Sequence, residues 1–185
     1  MITFFKANSY DIVRLFVNQI GMTIFGLMLT FAAAVNDPNL TGTFTLLVSL
    51  FSIGFYLFLI YAVAWELGAK NKIKIDAGRM KRDPLHGLKL ILFAEVPNML
   101  LAFFMLLGAT AGLNGMWAVA QSLAGLFEAM YVGVLRHFVT VGDMVGTAIA
   151  YTLAIFPATI TATVAYIFGL KEYRLLKGAK KPGVK

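Results

Sequence analysis

The chain has 185 residues, of which 59% are hydrophobic and 14% charged, and its mean hydropathy is +0.79. A soluble domain is typically about half apolar and a quarter charged, so this composition excludes an ordinary soluble domain and predicts a protein dissolved in lipid. The net charge of +7 comes from Lys and Arg beside apolar stretches, so we expect contact with lipid headgroups and no nucleic-acid partner. With no Cys and only two His, we expect no metal site and no cofactor.

The first two apolar segments are predicted to form a pair of membrane-spanning helices. Residues 10–35 are long enough to cross a hydrocarbon core about 30 Å thick. The interior Asn18 and Gln19 favour an uncleaved span over the alternative, a signal peptide. Residues 36–42 form a turn without Lys or Arg, which is therefore predicted to lie outside, and residues 43–66 form the second span.

A basic loop follows the second span and sets the orientation of the chain. Seven Lys and Arg residues and two Asp lie between Gly68 and Lys89, and we place the loop itself at residues 67–83. An excess of Lys and Arg marks the cytoplasmic side, so this loop and the N-terminus are predicted to be cytoplasmic. The basic side chains are expected to contact anionic lipid headgroups of a cell membrane, as in a bacterial inner-membrane protein.

The third segment, residues 84–111, combines a clear helix start with an internal interruption. Asp83 is suited to cap the helix and Pro84 to occupy its first position. Pro97 removes one backbone hydrogen bond, which predicts a kink. Because Glu95 precedes that kink and lies past the headgroups, we expect it to be a binding-site residue or half of a structural ion pair.

The fourth segment, residues 116–138, carries polar side chains on one face. Gln121, Glu128 and Arg136 recur at intervals of seven and eight residues, which places them on one side of a continuous helix. Such a face either contacts other helices or lies at the membrane surface, and the pattern is compatible with both.

The fifth segment, residues 143–170, is predicted to pack closely against another helix. Small residues recur at every fourth position without interruption, and this spacing forms a ridge along one side of a helix. The ridge consists of Gly142, Gly146, Ala150, Ala154, Ala158 and Ala162. Residues 171–185 follow as a basic tail.

Together these segments predict an all-α integral membrane protein, a polytopic helical bundle of five apolar segments in a single domain. The basic loop and the basic tail both favour the cytoplasmic side, but three segments lie between them, and three crossings would export the tail. Either all five segments span the membrane, or four span it and one is re-entrant. We favour five spans, with residues 116–138 as the candidate for a re-entrant segment.

Polar and ionisable side chains within membrane spans are candidates for a functional site, because each is costly in lipid. The candidate polar transport site consists of Glu95, Asn98, Glu128, Arg14, Glu66 and Arg136. If the fourth segment crosses, the two arginines are expected to share one level with Glu66 and Glu95 near the cytoplasmic face. Glu128 would lie about 12 Å further out, without a cation at its own depth, and is the residue expected to carry a proton.

A small channel or transporter for an ion or small solute is the function that this pattern favours, because carboxylates beside kinked helices are typical of transport sites. The alternative is a non-catalytic regulatory or assembly subunit of a larger membrane complex, which the small size and the ridge fit equally well. No nucleophile–base spacing or phosphate-binding loop indicates an enzyme. Besides the lipid bilayer, the expected partners are a second copy of the chain or a membrane partner subunit.

Overall fold

The computed structural model describes residues 2–37, 39–40, 42–140 and 142–173. It is all-helical over these residues, with no strand among them. The helices are α1 (Ile2–Ala34), α2 (Thr43–Asp76), α3 (His86–Ala94), α4 (Val96–Ala111), α5 (Asn114–Phe127), α6 (Val132–Phe138) and α7 (Met144–Leu170). A 3₁₀ turn, Ala129–Tyr131, connects α5 to α6.

Three of the helices, α1, α2 and α7, are each long and apolar enough to cross a membrane. The bent pairs α3–α4 and α5–α6 raise this number to as many as five if each pair counts as one crossing element. Large apolar side chains such as Phe31, Phe51 and Phe156 are exposed on the outside of the bundle. The prediction of an all-helical bundle of apolar segments is confirmed at this level, and such helices suggest a membrane location.

α1 begins at Ile2, ahead of the predicted start at residue 10, and it is kinked at Asn8. Asn8 has non-helical backbone angles, φ −123° and ψ 15°, and its side-chain amide donates to the Phe4 carbonyl at 2.9 Å. The rings of Phe4 and His86 have their centroids 5.2 Å apart, so the first turns of α1 lie beside the start of α3.

α2 is 34 residues long and continues well past the predicted end of the second span at residue 66. Its last turns carry basic side chains of the predicted loop, and Lys72 Nζ lies 2.9 Å from a carboxylate oxygen of Asp76, one turn further on. The Asn71 amide donates to the Tyr166 hydroxyl at 3.0 Å, which ties this extension to α7. The first half of the predicted loop is therefore helical, because contacts with α7 continue where the apolar sequence stops.

The α2–α7 pair is the most extensive helix contact in the bundle, and its closest approach is at two glycines. A Cβ atom on Gly68 would collide with the carbonyl oxygen of Tyr166, and a Cβ atom on Gly169 would collide with the carbonyl oxygen of Trp65. The two backbones are therefore in direct contact, which only glycine permits at these positions.

The predicted small-residue ridge is buried over its second half and partly buried before it. Ala158 and Ala162 are at most 1% exposed, whereas Gly146 and Ala150 are partly buried. Gly142 is not part of the ridge, because α7 begins at Met144 and Gly142 lies in the preceding turn with a left-handed φ of +93°. The every-fourth-residue pattern thus begins two residues before the first residue of α7, Met144.

α3 and α4 belong to one apolar segment that is bent by 58° at Glu95. The Glu95 amide donates to the Ile91 carbonyl at 2.8 Å, and the Glu95 carbonyl accepts from the Met99 amide at 2.9 Å, so this residue closes one helix and opens the next. Pro97 lies in the first turn of α4, where its missing N–H costs no helical hydrogen bond. The kink predicted from Pro97 is present.

α5 and α6 are separated by a break of 87°, so the fourth apolar segment is not one continuous helix. α5 begins beside the end of α4, where a Cβ atom on Gly108 would lie 2.8 Å from the Trp117 amide nitrogen. α6 packs on the first turn of α2, where a Cβ atom on Gly133 would lie 2.5 Å from the Thr45 carbonyl oxygen. The segment therefore enters the bundle and returns to the end from which it came.

These contacts define the two ends of the bundle. The loop end contains the start of α1, the end of α2, the start of α3 and the end of α7, and the far end contains the opposite termini of these segments together with the start of α5. Among the described residues, every Lys and Arg except Arg136 lies toward the loop end. The positive charge is thus distributed asymmetrically along the bundle axis.

Candidate functional site

The break between α5 and α6 forms the polar centre of the molecule, because unwinding leaves backbone carbonyls without helical partners. Thr23 of α1 donates to the Phe127 carbonyl at 2.6 Å, and Ser49 of α2 donates to the Met130 carbonyl at 2.6 Å. Ser49 Oγ also accepts from the Val134 amide at 3.2 Å. Hydroxyl groups of two other helices thus hold the break and occupy carbonyls that would otherwise be open to a bound cation.

Glu95, at the bend between α3 and α4, is buried, and both of its carboxyl oxygens accept hydrogen bonds. The Tyr56 hydroxyl donates to Oε1 at 3.1 Å, and the Asn98 amide donates to Oε2 at 2.6 Å. The sequence pattern identified Asn98, which lies three residues away on the same segment. It missed Tyr56, because a tyrosine among the many aromatic residues of α2 carries no local signal of a polar contact.

Glu128, the last residue before the 3₁₀ turn, is 3% exposed. Its Oε2 atom has no hydrogen-bond partner among the described residues, and neither do the Tyr131 hydroxyl and the Asn98 carbonyl oxygen, all of which are buried. Each unpaired buried polar atom costs about 1–3 kcal/mol, so a cluster of them indicates a site that stability alone does not explain.

These polar groups surround one small central cavity, the carboxyl pocket. Its lining consists of Gln19, Tyr56, Glu95, Asn98, Glu128, Met130, Tyr131, Ala154 and Ile155. This described lining contains two carboxyl groups and no Lys, Arg or His, and the space between the side chains is too narrow to admit a water molecule. The glutamates of the two broken segments therefore meet in a closed, dry pocket.

Arg14 and Glu66 lie toward the loop end, outside the carboxyl pocket, and form an ion pair of 2.8 Å that joins α1 to α2. Lys70 binds the other carboxylate oxygen of Glu66 at 2.7 Å. The side chains of Arg14 and Glu66 are 34% and 40% exposed, and a pair of this exposure contributes about 1 kcal/mol or less to stability. The structure brings these two residues together as a structural ion pair and not as part of the central site.

Arg136 lies in a third place, at the end of α6 and near the far end of the bundle. The expected charge-neutral set of Arg136 with Arg14, Glu66 and Glu95 is therefore not formed. The reason is the break at Glu128, which turns the chain back toward the far end, whereas a continuous helix would have carried Arg136 to the loop end.

An open groove of about 480 Å³, the far-end groove, lies between α5, α6 and the start of α7. It is lined by Trp117, Gln121, Ser122, Gly125, Val132, Leu135, Arg136, Val139, Thr140, Gly142, Thr147, Ala150 and Tyr151. Gln121 and Arg136 therefore line the same groove, but Glu128 lines the carboxyl pocket instead. The expected single polar face is corrected accordingly, since it assumed a helix without a break.

Within the described residues, no group of three or more His, Cys, Asp or Glu side chains is arranged to hold a metal ion. No protein-family model matches the chain, and no curated protein or solved structure matches it. A function is therefore proposed from the arrangement of the chain's own side chains.

Proposed function

We propose that four of the five apolar segments cross the membrane and that residues 114–138 form a re-entrant segment that enters from the outside. Both ends of this segment lie at the far end, next to Thr45 and Gly108. If the loop end is cytoplasmic, the basic loop and Tyr173, after the end of α7, lie on the same side, which removes the conflict that five crossings create. Residues 174–185 of the predicted basic tail lie outside the described residues. Irregular backbone at membrane depth is tolerated where protein surrounds it, as at the α5–α6 break.

Cysteine labelling of intact cells tests this arrangement, because the chain itself contains no Cys. Single cysteines replacing Asn39 and Phe138, both exposed near the far end, should react with an impermeant reagent. Cysteines replacing Arg79 and Tyr173, which are exposed at the loop end, should react only after the cells are permeabilised. Labelling of position 173 without labelling of position 138 in intact cells would support five crossings and overturn the re-entrant segment.

We further propose that the protein is a membrane transporter that moves protons, alone or with a small solute, through the carboxyl pocket. One observation carries this proposal: Glu95 and Glu128, from two broken segments, share a buried pocket with no cation in its described lining. Broken helices that bring ionisable groups into the membrane interior are typical of transport sites. An isolated carboxylate there is costly, and a bound proton neutralises it.

Glu128 is the residue best placed to exchange the proton. Its Oε2 atom is unoccupied by any donor of the described residues, whereas both oxygens of Glu95 are held by Tyr56 and Asn98. The unpaired hydroxyl of Tyr131 provides a second donor and acceptor in the same pocket. Because the pocket does not admit water, exchange requires the segment around the break to move, which is the behaviour of a carrier and not of an open pore.

Reconstitution into liposomes that contain a pH-sensitive dye tests the transport proposal. The native protein should conduct protons when a pH gradient and a membrane potential are imposed. Glu128→Gln, which mimics the protonated carboxyl, should reduce the proton flux roughly tenfold or more. Glu172→Gln makes the same substitution at an exposed position at the loop end and should leave the flux unchanged.

The same measurement distinguishes the proposal from the alternative function. A proton flux that persists in Glu128→Gln would exclude this residue as the proton carrier. If the native protein shows no flux under any gradient but co-purifies with another membrane protein in a fixed ratio, the result would favour a non-catalytic regulatory or assembly subunit.

A further inference from the structure

The far-end groove is lined by one arginine, Arg136, which lies in the last turn of α6. Arg136 is the only Lys or Arg at the far end among the described residues. No carboxylate of the described residues lies within ion-pair distance of its guanidinium group, and the described lining of the groove includes no Asp or Glu. Arg136 is exposed in the last turn of α6, so its guanidinium group is accessible to a ligand of opposite charge.

The side chains around Arg136 are those that an anion requires. The Gln121 amide and the Tyr151 hydroxyl both line the groove, and neither donates a hydrogen bond to another described residue. An arginine offers five N–H donors in a planar fork that matches the oxygens of a carboxylate or phosphate group. The groove volume of about 480 Å³ lies within the range of roughly 300–1,000 Å³ that is usual for small-molecule sites.

We propose that the far-end groove binds a small oxyanion, a carboxylate or phosphate group, through Arg136, with Gln121 and Tyr151 as further donors. This inference names a substrate class for the proposed transporter and rests on that proposal. Tyr151 lines the groove, and Ile155, one turn further along α7, lines the carboxyl pocket. An anion at Arg136 therefore lies next to the proton site, which suits the movement of an anion together with a proton.

The oxyanion could be a free anion in solution or the phosphate headgroup of an anionic lipid. A binding experiment distinguishes the two. The chain has two Trp: Trp117 lines the groove, and Trp65 lies at the loop end, where it donates to the Tyr173 carbonyl at 2.6 Å. Trp65→Phe thus leaves Trp117 as the single fluorescent reporter. The full-length variant in uncharged detergent is titrated with inorganic phosphate, with acetate and with a short-chain phosphatidic acid, at constant ionic strength and with chloride as the reference.

The Trp117 fluorescence should change saturably with at least one of these anions. In the same background, Arg136→Gln should weaken the apparent affinity roughly tenfold or more, because a charge-assisted hydrogen bond is lost. Arg79→Gln removes an exposed arginine at the loop end and should leave the affinity unchanged. Arg136→Lys keeps the charge without the planar fork and should retain weaker binding, which separates loss of the site from loss of the fold.

Saturation by phosphate or acetate would identify a free anion, and saturation by phosphatidic acid alone would identify a lipid headgroup; both outcomes support the oxyanion site. No response to any of the three anions, or a response that survives Arg136→Gln, would overturn it. Because binding is measured at equilibrium without flux, its failure leaves the proton proposal standing. A failure of the proton proposal, in turn, shows only in the flux assay.

Discussion

The two broken segments, α3–α4 and α5–α6, are both interrupted at a glutamate, but the interruptions have different causes. At Glu95 the proline of the same segment, Pro97, prevents a continuous helix, and the chain bends by 58°. No proline occurs in the α5–α6 segment, and the break of 87° at Glu128 is held by Thr23 and Ser49 of other helices. The first break is encoded locally, and the second depends on tertiary contacts.

The carboxyl groups at the two breaks also differ in whether hydrogen-bond donors reach their oxygens. The Glu95 carboxyl has a donor on each oxygen, one of which comes from its own segment, whereas Glu128 Oε2 has none among the described residues. A locally encoded bend thus positions a carboxyl group with a donor on each oxygen, and a bend held by neighbouring helices leaves one whose Oε2 atom has no donor among the described residues. The proposed proton exchange therefore depends on the α5–α6 break more than on the α3–α4 bend.

The comparison would be tested most severely by forcing α6 away from α2. Any side chain on Gly133 would meet the Thr45 carbonyl oxygen and Ser49 Cβ, at 2.5 Å and 2.7 Å from its Cβ atom. We expect Gly133→Leu to lower the free energy of unfolding by about 3 kcal/mol. The measurement is the midpoint of thermal unfolding in detergent, which should fall. Gly115→Leu is the matched control, because no atom lies within 4 Å of the added Cβ, and it should unfold near the native midpoint. Equal effects of the two substitutions would contradict the close α2–α6 contact.

Removing one hydroxyl group that holds the α5–α6 break should lower the stability of the protein by a smaller amount. Ser49→Ala leaves the Met130 carbonyl and the Val134 amide without their partner, at an expected cost of about 2 kcal/mol. Ser122→Ala is the control, since that exposed hydroxyl donates only to the Ala118 carbonyl of its own helix. If Ser49→Ala is as stable as Ser122→Ala, the break does not depend on α2.

Replacing proline should straighten the local bend without a comparable loss of stability. We expect Pro97→Ala to lengthen the distance between spin labels at Lys89 and Thr110, while stability changes by less than about 1 kcal/mol. Pro157→Ala is the control, because α7 continues as one helix through Pro157, and a label pair spanning it should keep its distance. An unchanged 89–110 distance in Pro97→Ala would show that tertiary contacts hold this bend as well.

The smallest effect is expected just before α3. The predicted helix start is corrected here, because α3 begins at His86 and its N-cap residue is Leu85, which has no side-chain cap hydrogen bond, so Asp83 and Pro84 precede the helix. Asp83 accepts from the Leu85 amide at 3.0 Å and from Lys89 Nζ at 2.7 Å. Burial opposes ionisation of Asp83, but these hydrogen bonds and the Lys89 charge outweigh it and hold the pKa of the carboxyl below its ordinary value. We expect Asp83→Ala to lower stability by about 0.5 kcal/mol at neutral pH.

The pH dependence of that loss provides its check. A depressed pKa in the folded protein means that the stabilisation is fully present above the ordinary Asp value of about 4 and disappears as the pH falls through the lower folded value. The unfolding midpoints of the native protein and Asp83→Ala should therefore converge in acid. A difference that stays constant with pH would show that the carboxylate contributes nothing as a charge.

Much of the fold could be predicted from local sequence. The errors occur where contacts between residues far apart in the chain determine the structure. The apolar segments and the bend at Pro97 follow from composition and from the chemistry of proline. The predicted end of the second span at residue 66 is too early. Lys70 and its neighbours are polar, but Asn71 and Gly68 pack on α7 and the helix continues. Helical spacing cannot indicate such a contact between segments.

The candidate site was predicted in part, for the same reason. Glu95, Asn98 and Glu128 stand out as polar residues in apolar segments, and the structure brings all three into one pocket. Tyr56 and Tyr131 complete that pocket but do not differ by sequence from other aromatic residues. Arg136 would lie with these residues only on a continuous helix, and the 87° break carries it to the far-end groove.

The sequence by itself determined that the chain forms apolar helices, that its positive charges concentrate in one loop and one tail, and that one segment bends at Pro97. These properties depend on composition and on backbone chemistry within a few residues. Only the tertiary structure decided that the fourth segment breaks at Glu128, that Glu128 meets Glu95, and that Arg136 lines a separate groove. Carbonyls freed in residues 127–131 need hydrogen-bond donors, and the donors are hydroxyl groups of Thr23 and Ser49, which lie on other helices and far away along the chain.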